Sequence, residues 1–220
     1  MWFLLFGNDK YVFYVQITRI VFCKIDSIDF NYKRVIFASM NKIYKNSEES
    51  EVILTELMLP SHSNFSGKIH GGFILSLMDK AAFASASKFS GQYCVTASVN
   101  RVDFLNPIEV GELVTLHARV NYVGRSSMVV GIRVESQNIR TGIKKHCNSS
   151  YFSMVAKDEN GKGIRVPGLK ITNEKELRRY LRSIKHIKMR NERKIEFSAE
   201  NFQAEKYKDA LKDYNVKLEL

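Results

Sequence analysis

Paired cysteines are missing from this chain. Cys23, Cys94 and Cys147 are the only three in 220 residues, an odd count with no CxxC spacing. That argues against a disulfide framework or a zinc site and fits a reducing compartment, the cytoplasm. A long apolar run is missing too. Asn8, Asp9 and Lys10 cut the first apolar stretch after six residues and Arg19 cuts the second, short of the ~18 residues of a membrane span. The apolar N-terminus shows neither the leading positive charge nor the small-residue cleavage site of a signal peptide. No GxSxG elbow surrounds Ser66 or Ser76, against that kind of serine hydrolase. His62, His117, His146 and His186 are scattered without metal-ligand spacing. The sequence predicts no metal and no cofactor, and it contains no internal repeat or low-complexity tract.

What is present is the composition of a globular protein, 45% hydrophobic and 26% charged. The length suits one domain with appendages. The formal charge of +11 is uneven: between Lys170 and Lys194 ten lysines and arginines stand against three glutamates. Texture divides the chain into an N-terminal extension (1–50), a central domain (51–168) and a basic C-terminal helical extension (169–220). Within the first, Met40 opens a polar, loop-like stretch. Residues 1–39 are then either an extension read upstream of a start at Met40, or an extra strand or interfacial segment.

Residues 51–59, "EVILTELML", read as a strand stopped by Pro60. Between about His70 and Ser90, apolar residues at 73, 74, 77, 78, 81 and 82 give a helical period. Its alanine-rich second half suits close packing on a sheet, and Gly91 marks its end. The period then becomes two. "YCVTASVNRVDFL" puts Val95, Ala97 and Val99 on one side, closed by Asn106-Pro107. "GELVTLHARVNYVG" puts Val114, Leu116, Ala118, Val120 and Tyr122 on one face, and "SSMVVGIRVES" does so with Met128, Val130, Ile132 and Val134. "KKHCNSSYFSMVAKD" supplies a last long strand. Strand, long helix and four strands imply an α+β layer whose antiparallel sheet wraps a helix that is apolar nearly all round. At the C-terminus, Leu177, Tyr180, Leu181, Ile184 and Ile187 share one face of a basic helix packed on the domain or a neighbour, and a second helix is expected over 199–214.

One carboxylate interrupts the central helix. Asp79 has Leu75 and Phe83 one turn away on each side, so a desolvated carboxylate serving as a base is expected there. Gly71 and Gly72 stand at the helix start, where free N–H groups form a partial positive centre. With no side chains in the way, a ligand carbonyl can approach them as an oxyanion site. His70, beside the glycines, has no nucleophile to pair with, which favours packing or a backbone hydrogen bond. Thr96 and Ser98 either line the pocket or are simply polar strand residues. Cys94 reads as a small buried hydrophobe.

The segments "NFSGKIHGGFILSLMDKAA", "VTASVNRVDFLNPIEVGE", "VGRSSM" and "FSMVAKDENGKGIRVP" together resemble the hot-dog-fold acyl-CoA thioesterases, of the YciA and brain-type cytosolic kinds. The resemblance runs over about 52–167. It implies the hot-dog fold, a curved antiparallel sheet around one long central helix, and hydrolysis of acyl-CoA to a free acid and CoA. It also implies a homodimer as the minimal active unit, assembled as a trimer of dimers. It makes Asp79 the general base or nucleophile, Gly71 the residue whose N–H polarises the thioester carbonyl, and Asn64 the amide that orients water or substrate. Gly72 joins the substrate-binding set with Thr96, Arg125, Ser126 and Ser127, the last three on the turn that helps hold CoA, with Arg125 against a phosphate.

Two other readings compete. A hot-dog dehydratase would need a histidine paired with a carboxylate, and no D-x-N-x-x-H arrangement is present. A non-enzymatic acyl-CoA-binding regulator would use the basic C-terminal helix on DNA, but no DNA-binding motif accompanies it. No nucleic-acid partner and no stable membrane insertion are therefore expected. Gly71 and Asp79 lie eight residues apart on one helix, roughly 12 Å along its axis. One reacting carbon must lie about 3 Å from both groups, so the two are expected to meet across a dimer.

Overall fold

The computed structural model describes residues 43–198 and 214–217, and of the stretch before them the backbone of three strands. The chain divides at Ile43/Tyr44 into two units. In the first, β1 (Trp2–Phe6), β2 (Tyr11–Gln16) and β3 (Arg19–Lys24) form an antiparallel meander. The strand reading of this stretch has that counterpart; the role of Met40 and the helix expected over 199–214 fall on residues outside those described.

The second unit holds β4 (Tyr44–Asn46), β5 (Val52–Leu57), α1 (Gly71–Ser90), β6 (Tyr93–Val99), β7 (Glu112–Val123), β8 (Ser127–Asn138), β9 (Lys144–Lys157), β10 (Gly168–Lys170) and α2 (Glu174–Glu196). Five strands form one antiparallel sheet in the order β5-β7-β8-β9-β6. This is the expected strand, helix and four strands in a hot-dog arrangement. β4 and β10, a short parallel pair, leave no mark in the sequence, because three residues are too few to show a period.

Helix α1 lies on the inner face of the sheet. Ala81, Ala82, Ser85 and Ala86 have no exposed surface, and they meet Val114, Leu116, Val130 and Met154 in one core. Small side chains let the helix axis approach the strands closely, as the alanine-rich pattern implied. The helix closes at Gly91, which takes the left-handed conformation (φ 69°) and donates to Ser87 O. It is not apolar all round: Gly72, Leu75, Ser76, Asp79, Lys80 and Phe83 form an exposed stripe beside edge strand β6.

Two strands depart from simple alternation. In β7 the register with β8 shifts between Val120 and Tyr122. Val120 is buried, whereas Tyr122 turns to the outer face and meets the Tyr180 ring of α2 at 5.1 Å. A one-residue bulge moves it off the face that strict alternation assigned to it. In β6 the register with β9 shifts between Thr96 and Ser98, and the strand ends at Val99 rather than running on to Leu105. The irregular segment that follows crosses toward the start of α1.

Helix α2 packs on the outer face through Glu176, Tyr180, Ser183 and His186, with Arg190 donating to Ser98 Oγ at 2.6 Å and Ser153 Oγ at 2.9 Å. Leu177 and Leu181, expected at the contact, are 44% and 55% exposed. The outer sheet face offers polar groups and rings, so the helix turns its smallest and most polar side inward.

At the base of the sheet Glu112 is buried and binds Lys145 Nζ at 2.9 Å, Ser136 Oγ at 2.8 Å and the Glu109 N–H at 3.0 Å. Burial raises its pKa, but these hydrogen bonds and the Lys145 charge outweigh that and hold the carboxyl below its ordinary 4.5. A depressed folded pKa means stability fully present above the unfolded value and lost as pH falls through the folded one. Glu112→Gln should therefore destabilise the protein at pH 7 by about 1–3 kcal/mol. It should also shrink the loss of stability seen below about pH 4.5. Urea unfolding at pH 7, 4.5 and 3.5 measures both.

Candidate active site

The first part of the site is the loop before α1. Ser63 and Ile69 pair across it, and Asn64 N donates to Lys68 O at 2.7 Å. The Asn64 carboxamide oxygen accepts from Ser66 N, Ser66 Oγ and Lys68 N at 3.0, 2.7 and 3.2 Å. That leaves its NH2 group, exposed and unpartnered among the described residues, as a donor in fixed orientation.

His70 is the N-cap of α1. Its Nδ1 accepts the Gly72 N–H at 3.0 Å, so the histidine makes a backbone hydrogen bond, as its isolation suggested. The cap corrects the picture of two open N–H groups. Gly72 is already engaged, and a Cβ there would lie 2.8 Å from the His70 ring. Phe73 and Ile74 donate to His70 O. Gly71 alone in the first turn has an N–H with no acceptor among the described residues. Nor is the approach free of side chains: a Cβ on Gly71 would lie 3.1 Å from Cζ of Phe104. The half-exposed Phe104 ring thus walls the helix start. Nothing periodic marks Phe104 in the sequence; it arrives because the chain leaves the sheet after β6.

The second part lies two turns further along α1. Asp79 is exposed, not desolvated, in the isolated chain, and so are its neighbours Leu75 and Phe83. Thr96 Oγ1 of β6 donates to Asp79 Oδ1 at 2.5 Å, which fixes the carboxylate and leaves Oδ2 without a partner among the described residues. Asp79, Phe83, Tyr93 and Thr96 line an open recess of about 360 Å³. A larger recess of about 730 Å³ lies elsewhere, on the outer face of the sheet. Thr96, read in the sequence as either a pocket residue or a plain polar strand residue, stands at this recess, paired with Met154 just before the bulge. Cys94 is fully buried.

The third part is the β7–β8 turn. Gly124 N donates to Ser127 O at 2.7 Å, Ala156 N to Ser126 O at 2.9 Å and Val166 N to Arg125 O at 3.0 Å. These bonds hold the turn to β9 and to the segment after it. The exposed Arg125 guanidinium has no hydrogen bond or ion pair among the described residues. Within one chain, then, Asn64 and Gly71 stand together at one end of α1, Asp79 and Thr96 stand together at its middle, and Arg125–Ser127 form a separate turn. Eight helical residues, about 12 Å, divide the first pair from the second. His62 instead stacks on Phe73 at 3.8 Å, and His146 binds Ser149 Oγ at 2.8 Å. Among the described residues no group of three metal-ligating side chains occurs.

The sequence of this unit matches known proteins. The model of the thioesterase superfamily matches residues 66–143. Protein VdlD of Helicobacter pylori is 40% identical over 66% of this chain and 82% of its own length. An uncharacterized acyl-CoA thioester hydrolase, YkhA of Bacillus subtilis, is 33% identical over 67% and 86%. Among solved structures, an apo-hexameric acyl-CoA thioesterase is 36% identical, with a TM-score of 0.67, over 69% of this chain and 97% of its own. The acyl-CoA hydrolase of Staphylococcus aureus, in complex with butyryl coenzyme A and coenzyme A, is 31% identical, with a TM-score of 0.65, over 70% and 93%. Alanine variants of that hydrolase have been solved at an asparagine, an aspartate and a threonine, which follow one another at intervals of fifteen and seventeen residues. By sequence and by its helix-wrapping sheet, this chain belongs to the thioesterase superfamily, among the acyl-CoA hydrolases of the hot-dog fold.

Proposed function

We propose that the protein hydrolyses acyl-CoA thioesters to a free acid and CoA in the cytoplasm, without a cofactor, at sites shared by two copies of the chain. One observation carries the assignment of residues. Asn64, Asp79 and Thr96 follow one another at fifteen and seventeen residues, the intervals of the three positions varied in the Staphylococcus aureus hydrolase.

In this reading Gly71 N–H donates to the thioester carbonyl oxygen and stabilises the charge that develops there. The Asn64 NH2 orients the water or the substrate. Asp79 Oδ2, freed by the Thr96 bond to Oδ1, takes a proton from the attacking water, or attacks the carbonyl itself, expelling CoA thiolate and leaving an acyl–aspartate anhydride that water then hydrolyses. With water as nucleophile, a C–O bond forms, the C–S bond breaks and the proton passes to the departing thiolate. Arg125 meets a CoA phosphate, flanked by Ser126 and Ser127. The acceptor-free N–H of Gly71 and the bonded Asp79–Thr96 pair are complementary halves of one site. A second copy, with its helix antiparallel, brings them together. The exposed stripe of α1, with Leu75 and Phe83, and the exposed Tyr93 and Val99 on edge strand β6 offer the apolar surface for that contact. Assembly as a trimer of dimers is supported by the hexameric thioesterase of similar sequence.

Asp79→Ala should lower kcat at least about a hundredfold with little change in KM. Arg125→Ala should raise KM for CoA esters and leave kcat much less affected. Free-thiol release from acyl-CoA, followed with a thiol dye, reads both; near wild-type turnover by the Asp79 variant would move the chemistry elsewhere. Asn64→Ala and Asp79→Ala chains, each impaired alone, should complement when co-folded. Random pairing gives half mixed dimers with one intact site each, so about a quarter of wild-type activity should return. Verified mixed dimers without recovery would place each site within a single chain.

A further inference from the structure

The large recess on the outer face of the sheet lies away from α1 and takes no part in the chemistry above. Its wall is the N-terminal half of α2; its floor is formed by β7, β8 and β9. Lys175, Arg178, Arg179 and Arg182 line it from the helix, at the three- and four-residue spacings that put side chains on one helical side. None of the four makes an ion pair or side-chain hydrogen bond among the described residues. The other two cations of the recess are neutralised. Arg119 pairs with Glu51 at 3.0 Å and lies 4.0 Å from Glu176, and Arg133 pairs with Glu135 at 2.7 Å. Glu48 is the remaining carboxylate of the lining. Like charges at these spacings repel one another along a helix. Of the four, Arg179 acts on a nearby carboxylate, its charge helping to hold the Glu176 pKa down, while Lys175, Arg178 and Arg182 have no ion pair among the described residues.

The floor gives a second, independent sign. Gly131 sits between Arg119 and Tyr151 in one cross-strand row. A Cβ there would fall 2.1 Å from Nδ2 of Asn121, so the Asn121 carboxamide lies across the glycine. Asn121 is 8% exposed, lines the recess, and makes no side-chain hydrogen bond among the described residues. Its carboxamide thus offers the recess both a donor and an acceptor. Asn121 is the extra residue of the β7 bulge, two positions beyond Arg119 and on the same side.

We propose that this recess is a second binding site, for a small ligand carrying a diphosphate group. A guanidinium fork matches phosphate oxygens two at a time, and the uncommitted cations of α2 can neutralise two phosphates. The volume of about 730 Å³ is ligand-sized and exceeds what one inorganic phosphate fills. Asn121 and Tyr151 then serve the remainder of the ligand. The diphosphate has two possible sources, free pyrophosphate or the diphosphate of a second coenzyme A.

Calorimetric titrations of the full chain with inorganic pyrophosphate, and separately with coenzyme A, test the site. Pyrophosphate should bind wild type and Arg125→Ala alike, and at least about tenfold more weakly to the double variant Arg178→Ala/Arg182→Ala. Thioesterase kcat and KM of that double variant should stay within about twofold of wild type. Asn121→Asp, which leaves α2 intact and adds negative charge to the floor, should weaken binding likewise. A second coenzyme A per chain, retained by Arg125→Ala and lost in the double variant, would identify the coenzyme as the source; pyrophosphate binding without it would identify the free anion. Three results would overturn the proposal: no pyrophosphate binding at millimolar concentration, binding lost in Arg125→Ala, or binding unchanged in the double variant. Capture of a DNA duplex by α2 with no pyrophosphate bound would also overturn it, in favour of a nucleic-acid surface.

Discussion

The close approach of α1 to the inner face of the sheet sets the rest of the molecule. Ala81, Ala82, Ser85 and Ala86 have no exposed surface, so the helix sits as near the strands as backbone contact allows. A helix seized so completely on one side must present its opposite side to whatever lies beyond the chain. That side carries Asp79 between Leu75 and Phe83. The face on which the carboxylate stands is thus set by residues it never touches, through the 3.6-residue repeat that separates buried from open faces, and Thr96 then holds its Oδ1. Larger residues in place of the alanines would lift the helix and carry Asp79 away from Thr96.

Polar groups complete this arrangement where apolar contact cannot. Beyond Ala118, β7 has no strand on its β5 side. There Ser50 Oγ accepts the Val120 N–H at 2.8 Å and Ser47 Oγ donates to Val120 O at 2.7 Å, while Ser85 Oγ of α1 donates to Ser50 O at 2.8 Å. Three serines therefore tie the helix, the turn before β5 and the strand into one unit, at positions where an unpaired backbone group would cost about 1–3 kcal/mol. At the other end of α1, His70 caps one N–H and leaves the neighbouring one open. The cap is selective by geometry: a side chain two residues before Gly72 reaches Gly72, and Gly71 lies inside the loop so formed.

Much of this was legible in the sequence, for identifiable reasons. Long elements advertise their periods, so α1, β7 and β8 are legible with most of their buried faces, and β9 as a strand. The glycine pair and the mid-helix aspartate break their surroundings, so they stood out as chemistry. Three things were hidden. The burial of Asp79 was misjudged because its face is apolar in sequence but uncovered in one chain. Tyr122 was put on the wrong face because a bulge leaves no compositional mark. The sheet-facing side of α2 is legible only in part: Tyr180 docks as expected, but Leu177 and Leu181 stay exposed while Ser183, His186 and Arg190 turn to the sheet. Hydrophobic pattern reports on packing by apolar contact; it says little about packing by hydrogen bond.

The bulge in β6 has a consequence of its own. Without it, Thr96 and Ser98 would point to the same side of the sheet. With Ala97 as the extra residue, Thr96 reaches inward to Asp79 while Ser98 reaches outward to Arg190. The strand thereby serves the reacting side and the docking of α2 from positions two apart. Its length, more than its composition, is the constrained quantity. Many substitutions along β6 would leave both contacts in place, whereas loss or gain of one residue would disconnect one of them. Among related chains, β6 should therefore tolerate spelling changes and resist changes in count.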